Sequence, residues 1–266
     1  MQIKLLCVGD VVGGPGRRVL RAGLTDLVAE HDIDCVIVNA ENAAAGSGIT
    51  PAIYDKILSY GVDVITLGDH IYRRKEIIPV LEQSDQVVRP ANLPLGAPGK
   101  SFVVRSCKGN HAVAVVSLLG RMFMKTPVDC PFVAVDRILG TISAKTKIIV
   151  IDMHAEATSE KVAMGWHLDG RVSLLFGTHT HIPTADERVL PKGTAFITDL
   201  GMTGPYDSVL GRCKERVLSA MISAVPAPFD VATGDVRLSG VIVTVESTTG
   251  KALDIRRVVY EGRFEE

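Results

Sequence analysis

Short β-branched runs alternate with segments of helical period along the first two-thirds of this 266-residue chain. "IKLLCVG" precedes "RRVLRAGLTDLVAEH", "DCVIVNA" precedes a glycine loop and "PAIYDKILSYG", and "VDVITLG" precedes "RKEIIPVLEQS". Runs this continuously apolar suit strands buried on both faces, as in an α/β fold. Thr50 and Pro51 supply an N-cap and a first helical residue. Two later stretches break the alternation. "SFVVRSC", Lys108-Gly109-Asn110 and "HAVAVVSLLG" read as an antiparallel hairpin, as do "VRLSGVIVTVE" and "ALDIRRVVYEG" around a Thr-Thr-Gly-Lys turn. "KIIVIDMH" resumes the strand-then-helix order. A purely parallel sheet has no use for the hairpins, so mixed sheets with helices outside are expected.

The bulk properties exclude several classes. Net charge is −1, with 29 basic and 30 acidic residues, so the chain is not a nucleic-acid-coating protein. No apolar run approaches the roughly 18 residues of a membrane span. "IKLLCV" is too short for a signal peptide and runs straight into Gly9-Asp10. The five cysteines are odd in number and scattered, against both a disulfide framework and a thiolate zinc site. Cys7 and Cys35 fall in apolar runs and are read as small core residues. No repeat or linker interrupts the chain, so one domain over 1–266 is expected, in the cytoplasm and away from membranes.

The residues at the ends of the strands narrow the chemistry. The first strand ends in Asp10, the second in Glu41-Asn42, the third in Asp69-His70. A later one ends in His154, and "RVSLLFGTHTH" ends in His179 and His181. Ligands of open α/β sheets gather beyond the carboxyl ends of the strands. Each residue alone has an ordinary reading. Asp10 suits a turn, Glu41 a solvated loop, Asp69-His70 a helix cap and His154 a hydrogen-bonded core. His179 and His181 on a strand would point the same way. Recurrence at five strand ends makes the set informative. Carboxylates, an amide and imidazoles without thiolates are ligands for divalent first-row metals. Seven such residues (Asp10, Glu41, Asn42, Asp69, His154, His179 and His181) exceed one zinc. They suit two ions with a bridging carboxylate sharing a hydroxide, the arrangement used for in-line displacement at phosphorus. His70 is placed to point at substrate and protonate the leaving oxygen. His31, His111 and His167 lack such placement.

The glycines of "GDVVGGPGRR" match neither G-x-G-x-x-G nor G-x-x-x-x-G-K-[ST], so they are turn residues and not a phosphate cradle. Arg17 and Arg18 are read as solvated or partner-facing charges. "GRMFMKTPVDCPF" is read as a loop over core or a subunit interface, with a lip over a nucleotide base as the lesser alternative. Asn92 of "RPANLP" is a candidate for supporting a ligand or contacting substrate, and Glu156 for orienting His154. Asp199 and Tyr206 lie near the motifs without an assigned role. Thr158 and Ser159 mark a helix start.

These motifs resemble the calcineurin-like metallophosphoesterases. Over nearly the whole chain, "GDVVGGPGR", "VNAENAAAGSGIT", "TLGDHIYRRKEI", "RPANLP", "LLGRMFM", "DMHAEATSEK" and "GTHTHIPTADERVLPKGTAFITDLGMTGPYDSVLG" resemble the bacterial YmdB family. The resemblance implies a four-layer αββα sandwich of mixed sheets. It also implies hydrolysis of 2',3'-cyclic nucleotides and related phosphodiesters with two divalent ions, iron or manganese first and zinc or magnesium as alternatives. Carried over by position, Asp10, Glu41, Asn42 and His181 would hold one ion. Glu41 would bridge to a second held by Asp69, His154 and His179, with His70 as general acid. The partners implied are a cyclic nucleotide or another phosphodiester, RNA ends included, and a second copy in a homo-oligomer. Two competing classes remain open: a zinc-type amide or ester hydrolase using the H-x-H pair, and a non-catalytic nucleotide-sensing regulator on the same fold.

Two departures from the wider pattern stand out. Val12 occupies the histidine position of an Asp-x-His motif, a loss that YmdB-like chains share. Gly68-Asp69-His70 replaces the usual Gly-Asn-His, adding one formal negative charge beside the metals. Asp69 is therefore expected to bind its ion more tightly, to make the pair less electrophilic and to ease departure of a dianionic product. Asp69→Asn should loosen metal retention, raise turnover and strengthen product inhibition; metal analysis and product-inhibition kinetics showing all three unchanged would refute the charge argument.

Overall fold

A computed structural model describes residues 1–261. Gly262, at the end of the expected second hairpin, and the last residues of the expected domain lie outside the described residues. In chain order the first part holds β1 (Gln2–Val8), β2 (Asp10–Val11), α1 (Gly13–His31), β3 (Cys35–Asn39), α2 (Pro51–Leu58), β4 (Val64–Thr66), α3 (Ile78–Gln83) and β5 (Val87–Val88). The middle holds β6 (Val103–Cys107), β7 (His111–Leu119), α4 (Pro131–Ile142), β8 (Ile148–His154), α5 (Thr158–Leu168) and β9 (Leu174–Thr178). The remainder holds β10 (Arg188–Val189), β11 (Ala195–Ile197), β12 (Met202–Pro205), α6 (Lys214–Ser223), β13 (Val236–Glu246) and β14 (Ala252–Tyr260).

Two mixed sheets form. One runs β2-β12-β13-β1-β3-β4-β5, with β14 paired to β13; the other runs β10-β11-β9-β8-β7-β6. β1, β3, β4 and β5 are mutually parallel, as are β7, β8, β9 and β11. Both expected hairpins are present, as β6–β7 and β13–β14. Thr50 caps α2 by accepting a hydrogen bond from the Ile53 amide at 3.3 Å.

The side-chain alternation of the strands explains the layering. Ile3, Leu5 and Cys7 of β1 enter the core between the sheets, while Leu6 and Val8 face a core shared with α1 and α2. On β8, Ile148 and Val150 enter the same central core. Ile149, Ile151 and Met153 pack on the opposite side with Ala134, Val135, Ile138, Leu139 and Ile142 of α4. Three apolar cores therefore separate four layers, the αββα sandwich. Each central strand is apolar on both faces because each face meets a different core.

One seam in this interior is polar. Asp152 of β8 is fully buried and accepts hydrogen bonds from Asn39 Nδ2 at 2.9 Å, Thr66 Oγ1 at 2.5 Å and Thr178 Oγ1 at 2.6 Å. Asn39 and Thr66 belong to one sheet, Asp152 and Thr178 to the other. Burial pushes the Asp152 carboxyl up to about 6, although His154 and the three donors favour its ionised form. The seam joins the carboxyl ends of the parallel strands in both sheets. Asp152→Ala would leave an amide and two hydroxyls without their acceptor in a dry interior. It should destabilise the fold by about 3 kcal/mol or more, readable as a lower urea midpoint.

Candidate metal centre

Just beyond the seam, the strand ends deliver the expected residues. One ligand atom from each of Glu41, Asp69, His154 and His179 lies within 4.8 Å of the others. His154 Nε2 is 3.2 Å from Glu41 Oε1 and 3.2 Å from Asp69 Oδ1, and His179 Nδ1 is 3.0 Å from His154 Nε2. Asp10, Asn42 and His181 adjoin this group. Asn42 Nδ2 is 3.1 Å from His181 Nε2, which is 3.9 Å from Asp10 Oδ1. His70 stands at the rim, 28 % exposed, with Nδ1 2.8 Å from Asn42 Oδ1 and its backbone amide donating to Glu41 Oε2 at 3.2 Å. All eight residues singled out from the sequence thus meet in one place.

The surroundings dictate which imidazole nitrogens face inward. His154 Nδ1 is 2.8 Å from Thr178 Oγ1, whose own proton goes to Asp152, so Nδ1 donates and Nε2 is the nitrogen left facing the cluster. His181 Nδ1 donates to the Leu210 carbonyl at 3.0 Å, again leaving Nε2 inward. His179 is turned the other way: Nδ1 faces the cluster and Nε2 lies 3.3 Å from Glu156 Oε2. Glu156 therefore attends His179 and not His154, because His154 already spends its outer nitrogen on Thr178.

The electrostatics are those of anions and imidazoles crowded together. Burial raises the Asp69 carboxyl, but hydrogen bonds to His154 and His179 outweigh it and hold the group well below the usual carboxylate range. Burial lowers His154, yet Glu41 and Asp69 beside it drive the imidazole well above its ordinary value. Asp10 is raised, chiefly by burial. Its Oδ1 is buried without a hydrogen-bond partner, while Oδ2 accepts from the His179 amide at 3.1 Å. An orphaned carboxylate oxygen aimed into a set of inward-facing imidazole nitrogens fits a cation. Gly68 fits too: a Cβ there would fall 2.3 Å from Glu41 Oε2 and 2.3 Å from His154 Cδ2. A second cluster, Cys35, Asp63 and Cys107, joins the first strand layers elsewhere. Its sulfurs stand 2.7 Å apart, closer than two thiolates on one tetrahedral ion at Zn–S distances of about 2.3 Å.

Several expectations need correction. His179 and His181 are not on a strand: β9 ends at Thr178, and the two residues adopt φ of 98° and 66°. Strand alternation does not aim them; a left-handed turn does. Asn92 contacts no site residue, since its amide is wholly spent on Leu119 and Asp129 backbone groups at 2.8–2.9 Å. Arg17 is half-buried and donates to the Ala43 carbonyl, tying α1 to the loop that carries Glu41 and Asn42. The loop expected to cover core does so in part: Met124 and Val128 pack against the core shared with α1 and α2, while Met122 and Phe123 are exposed and the amides of Arg121 and Met122 are held by Glu160.

Sequence reasoning missed what supports the H-T-H turn. Lys161 of α5 is completely buried and its Nζ lies 2.7 Å from Asp199 Oδ2. Asp199 Oδ2 also accepts from the Thr180 amide at 3.2 Å and hydroxyl at 2.8 Å, and Oδ1 from the Gly201 amide at 2.8 Å. Thr180 sits between the two histidines, so a buried ion pair fixes a left-handed turn. No residue type in "HAEATSEK" signals a buried lysine. The available cue was Asp199 shortly after the apolar run "AFI", which forms β11.

A helix-flanked pair of mixed sheets with acids, an amide and imidazoles at its strand ends is the calcineurin-like fold of metallophosphoesterases. More narrowly, the chain belongs to the YmdB-like proteins, whose family profile matches residues 6–258. It is 44% identical over 257 residues to the 2',3'-cyclic-nucleotide 2'-phosphodiesterase of Bacillus subtilis strain 168, covering 97% of each chain. A hypothetical protein from Thermus thermophilus superposes with a TM-score of 0.91 at 40% identity, over 98% of this chain and 100% of that one. A novel phosphatase from Mycoplasma pneumoniae also gives 0.91, at 32% identity over 98% and 94%.

Breaking the buried pair from one side should cost about 3–5 kcal/mol, because a lone charge stays in the interior. Lys161→Met is expected to lose that much in denaturant titration. Lys161→Met combined with Asp199→Asn should lose less than the sum of the single changes; strict additivity would show that the pair is not coupled.

Proposed function

We propose that this chain is a phosphoric diester hydrolase that opens cyclic nucleotides, 2',3'-cyclic forms first, with two divalent metal ions. The observation that carries the reading is the unpartnered Asp10 Oδ1, buried beside the cluster of Glu41, Asp69, His154 and His179. In this reading Asp10, Glu41, Asn42 and His181 would hold one ion. Glu41 would be shared with a second, which Asp69, His154 and His179 would hold. The geometry supports that division: the second group is the compact one, and Asp10, Asn42 and His181 lie together on its other side. Nitrogen and oxygen donors suit iron or manganese, with zinc or magnesium also accommodated. Ions bound there would neutralise charge on the phosphoryl oxygens and make water acidic enough to attack at neutral pH.

The chain's own residues do the rest. Thr178 and the Leu210 carbonyl hold His154 and His181 in the tautomer that leaves Nε2 free. His70, at the cavity rim, would donate a proton to the departing ribose oxygen. Asn42 orients His70 through the 2.8 Å contact at Nδ1. Five cysteines, none in a disulfide, agree with action in the cytoplasm. No helix among the described residues is long and apolar enough to cross a membrane.

The test is anaerobic purification, metal analysis, and reconstitution with Fe²⁺, Mn²⁺, Zn²⁺ or Mg²⁺. Assays then use 2',3'-cyclic and 3',5'-cyclic nucleotides, bis-p-nitrophenyl phosphate, and p-nitrophenyl acetate. Two ions per chain and preference for 2',3'-cyclic substrates are expected. His70→Ala should lower kcat on them by about 10²–10⁴-fold, and far less on a nitrophenyl diester whose leaving group needs no proton. A metal-loaded protein that binds cyclic nucleotide without turning it over, or hydrolyses the acetate alone, would defeat the proposal.

A further inference from the structure

The metal centre opens into a cavity of about 390 Å³ whose lining is of two kinds. Its polar part is Glu41, Asn42, His70, His179 and His181. Its apolar part is Val209, Leu210, Val217, Met221 and Phe229. Met221 is 73 % exposed and Phe229 41 % exposed, so a large apolar surface stands uncovered within reach of a densely ionic floor. Such a cavity falls within the size range of small-ligand sites. Its division matches a molecule that is anionic at one end and flat and apolar at the other.

The apolar side is fixed to the ionic side and does not float over it. Arg212 donates through Nη1 to the carbonyls of Ala45 and Phe229, at 3.1 Å each, and through Nη2 to Gly46 at 2.5 Å. Ala45 and Gly46 belong to the loop that begins with Glu41 and Asn42. One guanidinium thus ties the backbone at Phe229 to the segment bearing two of the candidate ligands. Leu210, at φ 53°, serves both sides: its carbonyl accepts from His181 and its side chain lines the cavity. The Arg212 donors that face this region are spent on carbonyls, and the Thr180 hydroxyl is spent on Asp199. Glu156, the remaining charged side chain of the lining, stands beside His179.

We infer that the wall of Val217, Met221 and Phe229 is the seat of the substrate's nucleobase, an inference that rests on the phosphodiesterase reading of the adjoining metal centre. The wall grips a ring by its face and offers its edge no dedicated donor. Stacking of this kind is tolerant of base identity, because every base has a π-face, and it scales with the area covered. Purine cyclic nucleotides should therefore be preferred to pyrimidine ones, by area and without discrimination between adenine and guanine.

The experiment compares wild type, Met221→Ala, Phe229→Ala and Phe229→Trp, metal-loaded, on 2',3'-cyclic AMP, 2',3'-cyclic CMP and glycerol 1,2-cyclic phosphate, which has no base. Phe229→Ala should lower kcat/KM about tenfold on cyclic AMP through KM, less on cyclic CMP, and under twofold on the glycerol ester. Met221→Ala, at an exposed position that cannot disturb the core, should follow the same order, and Phe229→Trp should keep or improve the purine preference. Equal effects on all three substrates, or none on any, would overturn the inference. So would a wild-type oligomer that the alanine variants dissociate without altering KM, since the wall would then be a subunit interface. If wild type hydrolyses none of the three, the phosphodiesterase reading fails by itself. Calorimetric Kd values for cyclic AMP and the glycerol ester then decide the wall in the same way.

Discussion

Everything at the functional end of this molecule rests on one buried carboxylate. Asp152 lies between the two sheets, where an apolar residue would pack more easily, and draws an amide from one strand and hydroxyls from two others. The three donors come from both sheets, so the seam sets how the carboxyl ends of β3, β4, β8 and β9 align. Thr178 passes the same constraint to His154 through Nδ1. An imidazole held at one nitrogen by a buried network has one tautomer and one orientation, which is what a preorganised ligand needs. The cost of burying the charge shows in the raised Asp152 carboxyl, at about 6.

A second buried charge serves the turn above it. The pair Lys161–Asp199 is buried, and Asp199 spends its remaining capacity on Thr180 and Gly201. Two non-glycine residues in the left-handed region, His179 and His181, do not hold that shape unaided. The strain sits where two imidazoles must converge with residues from distant strands. β9 can approach that corner because Gly177 has no side chain: a Cβ would fall 1.7 Å from the Thr198 carbonyl oxygen. Function and packing are thus the same problem at this end of the sandwich, and the opposite faces of both sheets are free to be ordinary apolar core.

Much of this was legible in the order of residues. Apolar strands with no polar face imply burial on both sides, and hairpins among parallel strands imply mixed sheets. Asp10, Glu41, Asp69-His70, His154 and the H-x-H pair each lie at or just past the end of a strand, and parallel strands bring such ends together. What misled was local geometry: an H-x-H pair after an apolar run looks like the last residues of a strand, although the chain has already turned. Asn92 looked like a site residue by its place beside a motif, yet its amide closes a backbone gap. Arg17 looked solvated because nothing in its own helix shows that the Ala43 carbonyl lies across from it.

By itself, then, the sequence determined the periodicities, the elements they generate and the chemical types placed at the strand ends. Those depend on residues near one another in the chain, through side-chain alternation, helical period and turn chemistry. The tertiary structure decided which nitrogen of each histidine faces inward, which acid supports which base, and that Lys161 is buried. It also decided that apolar residues of α6 and Phe229 line the same cavity as Glu41. These depend on partners far apart in the chain: 38 residues for Lys161 and Asp199, and 113 for Asn39 and Asp152. Such pairs carry no local period, and they exist because two twisted sheets meet face to face in one register.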